Sequence, residues 1–334
     1  MLLCRLAENA YWLGRYLERA EDLARAILAY EQIRLDLPGQ RAPGWQRLAA
    51  LAGVDEAAAL APTAFVGQVI LDRENSSSLL GSLHAARENL RRARSQFPAE
   101  CWHTLNRLYL GLGVLDAGAP ATELRAHLEQ VVGSSRELGG QVTAGMLRDE
   151  AYAFLRIGAH LERADMMLRV ALIVSETLIP SAQGHGTPFE NIRWMGLLKS
   201  VGAYGTYRHR YHAATDFKSA LDLLLREPTF PRSLAHGLQE IGRELAGLPR
   251  NADALAALEA CRAVQEVETR AELGSFADAA LERLAHASSV LQTTYFSMPL
   301  SPPEPAPASR PHPRRAGTAG EDRDEARGAA ATGT

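Results

Sequence analysis

Two clusters of charged side chains recur at helical spacing: Glu18, Arg19, Glu21 and Arg25, and then Glu162, Arg163, Asp165 and Arg169. With Leu17 as zero and about 100° per residue, Glu21 falls near 40°, Arg25 near 80° and Glu18 near 100°, on one flank of an apolar arc. A carboxylate held among guanidinium groups binds an amine, or acts as a general base if burial tunes its pKa. The guanidinium fork holds carboxylate or phosphate oxygens two at a time. Glu18 and Glu162 are therefore the catalytic candidates, and Arg19, Glu21, Arg25, Arg163, Asp165 and Arg169 the substrate-binding candidates. The competing reading is that these charges only pair with one another. Glu21–Arg25 and Asp165–Arg169 have the favoured acid-first i,i+4 order, each exposed pair contributing about 0.2–0.5 kcal/mol. Buried ion pairs stabilise poorly compared with apolar packing, so a set present twice fits a ligand or partner better than stability. Exposure decides between the two.

Further polar groups stand at Asp72 and Asn75, at Arg87, Glu88 and Asn89, at Arg148 and Asp149, and at Arg232. Arg87–Arg92 reads either as a solvated helix face or as a surface for an acidic substrate, and a helix N-terminus near Asn75–Ser78 adds anion-binding N–H groups. Other chemistry is missing or incomplete. Gly196–Ser200 lacks the spacing of a phosphate loop, and there is no nucleophile elbow and no His-Glu-x-x-His. A di-metal bundle needs a Glu-x-x-His on each of two helices. Only Glu100-x-x-His103 fits, with His209 and His212 as an added i,i+3 pair. No metal or directly bound cofactor is expected. Cys4, Cys101 and Cys261 form no CxxC pair, which argues against a disulfide framework or zinc site and for a reducing compartment.

The elements that must position these groups are helices. Residues 3–36 read as one long helix, ended by Pro38, Gly39, Pro43 and Gly44. A short piece starts near Trp45, another follows Pro62, Asn75–Ser78 offers N-caps, and Pro98 opens the next helix. A helix over 121–138 is followed by a turn at Gly139–Gly140, and a second long helix runs from Thr143 to about Thr177. Others are predicted near 189–202, 203–225, 231–247, 251–270 and 272–296. No segment alternates with period two, so the chain reads as all-α. Residues 298–334 hold seven of the 17 prolines and few large apolar side chains, and are predicted to be disordered.

The strongest pattern is a duplication. Residues 14–25 realign with 158–169 at an offset of 144, with seven of twelve positions identical or Glu/Asp equivalents. Trp45-x-x-Leu48 finds Trp194-x-x-Leu197 at offset 149, and Ser78-Leu79 with Leu83 finds Ser233-Leu234 with Leu238 at offset 155. Hence 1–138 is read as a first helical repeat and 139–297 as a second, forming a multi-helix bundle with a pseudo-twofold. In such a bundle the two charged flanks line one polar cleft.

Composition narrows the class. The 334 residues are 46% hydrophobic and 22% charged, with a formal net charge of -3. That balance draws the chain toward neither nucleic acid nor an anionic membrane. Of 36 basic residues only Lys199 and Lys218 are lysine. No stretch approaches the ~20 apolar residues of a membrane span, and Arg5 and Glu8 stand where a secretory peptide needs its apolar run. A cytoplasmic protein is expected.

Particular segments carry a resemblance. They are Ala7–Glu21, Asp72–Ser78, Ala86–Asn89 with Trp102-x-x-Leu105-Asn106, Leu147–Glu150, Gly158-x-x-Leu161-Glu162-Arg163-Ala164-Asp165, and Phe230–Ser233. Together these resemble the bacterial alpha-E family, an all-helical family with a Glu-Arg motif, over residues 1 to about 295. One departure is Glu74 and Ser76, where the family pattern has Arg or Lys and Pro, which puts a rigid turn there in doubt. The resemblance implies company: a circularly permuted ATP-grasp protein, often with a transglutaminase-like peptidase nearby. It thus implies a system that activates carboxylates with ATP and Mg, both supplied through the partner, and forms or trims amide bonds. The leading expectation is an accessory or catalytic subunit that binds a peptide or amino-acid group in the Glu/Arg-lined cleft. The alternatives are a non-catalytic helical scaffold that docks the ligase, and a di-metal carboxylate enzyme.

Overall fold

The computed structural model describes residues 2–36, 46–55, 58–59, 61–178, 188–212, 214–262, 267 and 269–297. Trp45 and the tail read as disordered from the sequence lie outside them. Among the described residues every regular element is helical. The first is α1 (Cys4–Asp36), then the short α2 (Gln46–Ala49) and α3 (Pro62–Phe65). Next come α4 (Leu79–Arg92), α5 (Ala99–Leu112) and α6 (Ala121–Gly145). The second long helix is α7 (Glu150–Leu178), followed by α8 (Pro188–Ser200), α9 (Tyr204–Tyr211) and α10 (Phe217–Leu221). The chain continues with α11 (Leu234–Ala246), α12 (Ala252–Arg262) and α13 (Arg270–Tyr295). No described helix is long and apolar enough to cross a membrane.

The frame is α1 against α7. Helices α4, α6 and α8 pack on α1, and α11 and α13 pack on α7. Of the apolar arc of α1, Ala10, Leu13, Ala20, Ala24 and Ile27 are buried, while Leu6, Leu17 and Leu28 are half-buried at its margin. Residues 1–298 form one compact unit.

The α1–α7 crossing is tight because two glycines sit in it. A Cβ on Gly14 would lie 2.2 Å from the Leu155 carbonyl oxygen and 2.9 Å from the Ala159 nitrogen. One on Gly158 would lie 2.1 Å from the Tyr11 carbonyl oxygen and 3.3 Å from the Arg15 nitrogen. All these partners correspond at offset 144, so the contact is reciprocal in the manner of a twofold interface. Matching local geometry continues downstream. Val66–Ile70 and Asp222–Arg226 are both single π-helical turns. Each is followed by a turn whose serine caps the next helix: Ser78 Oγ accepts from the Gly81 N–H and Ser233 Oγ from the His236 N–H, both at 3.0 Å.

Three expectations change. The turn placed at Gly139–Gly140 is absent, because α6 runs on to Gly145 and buries Leu138 and Val142 on either side of the pair. Burial on that face outweighs the ~1 kcal/mol propensity cost of each glycine. The break falls at residues 146–149 instead, where Asp149 Oδ1 accepts from the Ala151 and Tyr152 N–H groups at 3.0 and 3.1 Å and starts α7. The helix predicted over 203–225 is split, since His212 turns left-handed (φ 50°) and Asp216 caps a new helix through the Ser219 N–H.

Candidate functional site

The two long helices carry their charged flanks into the same crossing and exchange partners there. Glu18 is gripped by Arg163 of the opposite helix, Nε to Oε1 at 2.6 Å and Nη2 to Oε2 at 2.7 Å. Glu162 receives Arg19 Nε at 2.5 Å on one oxygen and Arg15 Nε on the other. Each arginine of the two Glu-Arg dipeptides therefore holds the glutamate of the other. Each also reaches a loop carbonyl: Arg19 donates to Ser76 O at 3.4 Å and Arg163 to Pro231 O at 3.1 Å.

Both carboxylates are buried, Glu18 to 6% exposure and Glu162 to 1%. Burial alone pushes a carboxyl pKa up. At Glu18 the charges of Arg163 and Arg232 more than reverse this, holding it at about 2. At Glu162 burial is likewise overcome by Arg15 and Arg19, and its pKa is lowered. A carboxylate so gripped is not poised as a base near neutrality. These pairs build the frame that the site stands on.

The two ends of the crossing differ. Arg232, from the loop before α11, donates at 2.7 Å to both Glu21 and Asp22 and lies 3.4 Å from Glu18. Glu21 also takes Arg25 at 2.5 Å. At the positions that the sequence realignment pairs with Arg232 and Asp22 stand Ser77 and Met166, so among the described residues the matching end of the crossing lacks this acid cluster. Asp22 is raised to about 7, chiefly by burial and further by the charges of Glu18 and Glu21, against the pull of Arg232. The cavity against it holds only about 10 Å³, room for one water at most.

Beside this cluster, between α1, α6 and α7, lies a cavity of about 340 Å³. It is lined by Gly14, Glu18, Glu21 and Arg25 of α1, Arg156 and Arg163 of α7, Ser135 and Arg136 of α6, and Arg232. Arg25, Arg163 and Arg232 are engaged by carboxylates. Among the described residues Arg136 and Arg156 have no carboxylate partner. Arg136 is exposed on α6. Arg156 donates at 2.7 Å to His160 Nε2, so the neutral ring carries its proton on Nδ1, and that buried atom has no partner. The His160 pKa is lowered well below its ordinary value by burial, helped by Arg163 and Arg156. The buried Ser135 Oγ also lacks a hydrogen-bond partner. The cavity thus offers the Arg136 guanidinium, the Arg156 guanidinium with one N–H given to His160, and a free hydroxyl, a set suited to an anionic oxygen pair.

The structure gathers Glu18, Arg19, Glu21, Arg25, Glu162, Arg163 and Arg232 at this crossing, with Asp165 and Arg169 paired at 2.5 Å on its outer flank. The other candidates stand elsewhere. Asp72 and Asn75 shape the loop before α4: Asp72 Oδ1 accepts from the Glu74 and Asn75 N–H groups, and Asn75 Oδ1 from that of Ser77 at 2.9 Å. The turn forms with Ser76 at the position that the sequence realignment pairs with Pro231. On α4, Arg87 bonds Asn106 at 2.8 Å and Glu88 at 3.1 Å and lies over Trp102, while Asn89 sits half-buried one residue on. Arg148 bonds Thr143 O and lies over Tyr152, and Asp149 is the cap of α7.

Glu100 and His103 are exposed on α5, and no group of three or more His, Cys, Asp or Glu among the described residues is placed to hold a metal. Cys101 and Cys261 are buried, which pushes both thiols up to about 11. Sequence reasoning passed over Arg15, Asp22, Ser135, Arg136 and Arg156. Arg156 had a signal, since it lies seven residues before Arg163 and so shares its face. Arg136 and Ser135 had none, because nothing local says that α6 lies along α1.

The model of the Alpha-E family, described as a predicted alpha-helical domain with a conserved ER motif, matches residues 2–297. No curated protein and no solved structure matches the chain. This chain belongs to the Alpha-E family, and Glu-Arg dipeptides at 18–19 and 162–163 lie at the centre of its frame.

Proposed function

We propose that this Alpha-E protein holds the substrate for an ATP-grasp ligase in peptide or amide-bond formation. It binds the carboxylate of an amino-acid or peptide group in the cavity between α1, α6 and α7. The ligase supplies the ATP and Mg, and a transglutaminase-like peptidase acts in the same system. The observation that supports this is the pairing pattern: of five arginines lining the cavity, Arg136 and Arg156 alone have no carboxylate within ion-pair distance among the described residues. The Glu18–Arg163 and Glu162–Arg19 pairs serve as the rigid frame. Glu18 and Glu162 are then positioning groups and not the base. The resemblance noted in the sequence supplies the ligase.

The test is ATP-dependent product formation by ligase and this chain together, followed by mass spectrometry. Arg136→Ala and Arg156→Ala each lower product formation tenfold or more while the two proteins still co-elute. Unchanged product with both variants overturns the cavity as the substrate site. If product depends on this chain yet only changes that abolish co-elution lower it, the chain is a scaffold.

A further inference from the structure

A second cavity, of about 350 Å³, abuts the first and shares Arg25 with it. It too lies between α1 and α6, lined on α1 by Arg25, Leu28, Ala29 and Gln32, and on α6 by Arg125, Glu129 and Val132. Residues of the first cavity run from Gly14 to Arg25 on α1 and from Thr143 back to Ser135 on α6. The two cavities therefore follow each other along a pair of antiparallel helices and meet at Arg25, which lines both. From Gly14 to Gln32 the rise along α1 is about 27 Å at 1.5 Å per residue. An extended chain of about eight residues covers that length at ~3.3 Å per residue.

The groove's charge says what kind of chain. Seven cationic side chains line the two cavities against three carboxylates. Four of the seven, Arg25, Arg125, Arg163 and Arg232, are paired with carboxylates, Arg125 loosely with the exposed Glu129 at 3.7 Å, which leaves Arg136, Arg156 and Lys199 as the excess positive charge. The field along the groove favours an anionic ligand. In the second cavity Gln32, Arg125 and Lys199 supply hydrogen-bonding groups among the lining, where an acyl chain would need apolar walls. Tyr204 is the one aromatic ring among the lining residues, and Lys199 Nζ already sits 5.2 Å from it, so bases find no free stacking platform.

We infer that the groove along α1 and α6 binds an extended acidic peptide of about eight residues, running from Arg136 and Arg156 toward Arg125 and Lys199. The inference rests on the reading of the first cavity as a carboxylate site and assigns its substrate class: a peptide, gripped along its length, in place of a single amino acid.

Fluorescence polarisation tests it on the full chain. The probe is an octapeptide of alternating Ala and Glu with a free C-terminus and a fluorescein at its N-terminus. The competitors are the dipeptide Ala-Glu, the octapeptide with Gln for Glu, and octauridylate. The acidic octapeptide binds at least tenfold more tightly than the dipeptide or the Gln form. The combined Arg125→Ala and Lys199→Ala variant removes that gain without altering dipeptide affinity, and Arg136→Ala weakens both peptides. Equal affinity for octapeptide and dipeptide overturns the inference and leaves the carboxylate site standing. Octauridylate displacing the probe more effectively than unlabelled octapeptide overturns it in favour of a nucleic-acid groove. If neither peptide binds, the carboxylate site itself is refuted. Both second-cavity side chains are at least partly exposed, and unchanged melting of the double variant shows that the loss is local.

Discussion

Gly14→Ala and Gly158→Ala place a methyl group inside the α1–α7 crossing, where helix propensity and packing predict opposite outcomes. Propensity alone favours Ala over Gly in a helix interior by about 0.8–1 kcal/mol. Against that, the new Cβ would stand 2.2 Å from a carbonyl oxygen at Gly14 and 2.1 Å from one at Gly158. Both obstructing atoms are backbone, so no side chain can rotate away, and the helices must part by roughly 1 Å to restore ordinary contact at ~3.5 Å. Overpacking of this kind costs about 1–3 kcal/mol. Parting the helices also lengthens the Glu18–Arg163 and Glu162–Arg19 pairs that flank the glycines. Each variant is expected to lose about 1 kcal/mol net, and at most about 2. The double variant should lose less than the sum, since both methyls open one gap. Gly133→Ala is the control, because nothing stands within 4 Å of its added Cβ, and it should gain about 0.5–1 kcal/mol. Urea denaturation followed by circular dichroism measures all four. If Gly14→Ala stabilised the protein as Gly133→Ala does, the close reciprocal crossing would be refuted.

Other consequences concern the charges. Glu18→Gln leaves Arg163 facing an uncharged amide and should cost about 3–5 kcal/mol, whereas Glu18→Leu combined with Arg163→Met should cost less than either change alone; denaturant titration of the four variants decides. Asp22, raised to about 7, keeps in the folded state a proton that the unfolded chain releases near pH 4. Its contribution therefore falls as pH rises from about 4 to about 7, by at most about 1.4 kcal/mol per unit. Asp22→Asn should remove that slope between pH 5 and 7, seen as a wild-type minus variant difference that declines and then flattens. Glu18 acts in the opposite sense, its stabilisation present above its ordinary value of 4.5 and lost as pH falls toward 2. In native protein at pH 7 iodoacetamide should label Cys4 and spare Cys101 and Cys261, whose thiols are buried and raised to about 11; peptide mapping reads this, and labelling of all three at similar rates would count against the core.

Much of this architecture is written in local pattern. The arc around Leu17 gave α1 to within a residue of its ends, and Ser78 and Pro98 mark the starts of α4 and α5, because each rests on periodicity or a cap. The Glu21–Arg25 and Asp165–Arg169 pairs follow from i,i+4 order alone. What local pattern withholds is register between helices. That Glu18 meets Arg163 and not Arg169 depends on how α1 and α7 slide against each other, which Gly14 and Gly158 fix through backbone contact. Those glycines stand in the repeated segment, so the clue was present, yet their meaning needs the partner helix. The single acid cluster was legible too, as the mismatches Asp22 with Met166 and Arg232 with Ser77. The wall that carries Ser135 and Arg136 was not, since both fall inside the helix predicted over 121–138 and only the packing of α6 along α1 brings them to the cavity.

The central claim is that Arg136 and Arg156 hold a peptide carboxylate, and isothermal titration calorimetry with one dipeptide in two forms tests it most directly. Ala-Glu with a free C-terminus should bind the wild-type protein, the same dipeptide as its C-terminal amide should bind at least tenfold more weakly, and Arg136→Ala with Arg156→Ala should erase the difference. Equal binding of acid and amide by the wild type, or a difference that survives loss of both arginines, would contradict it.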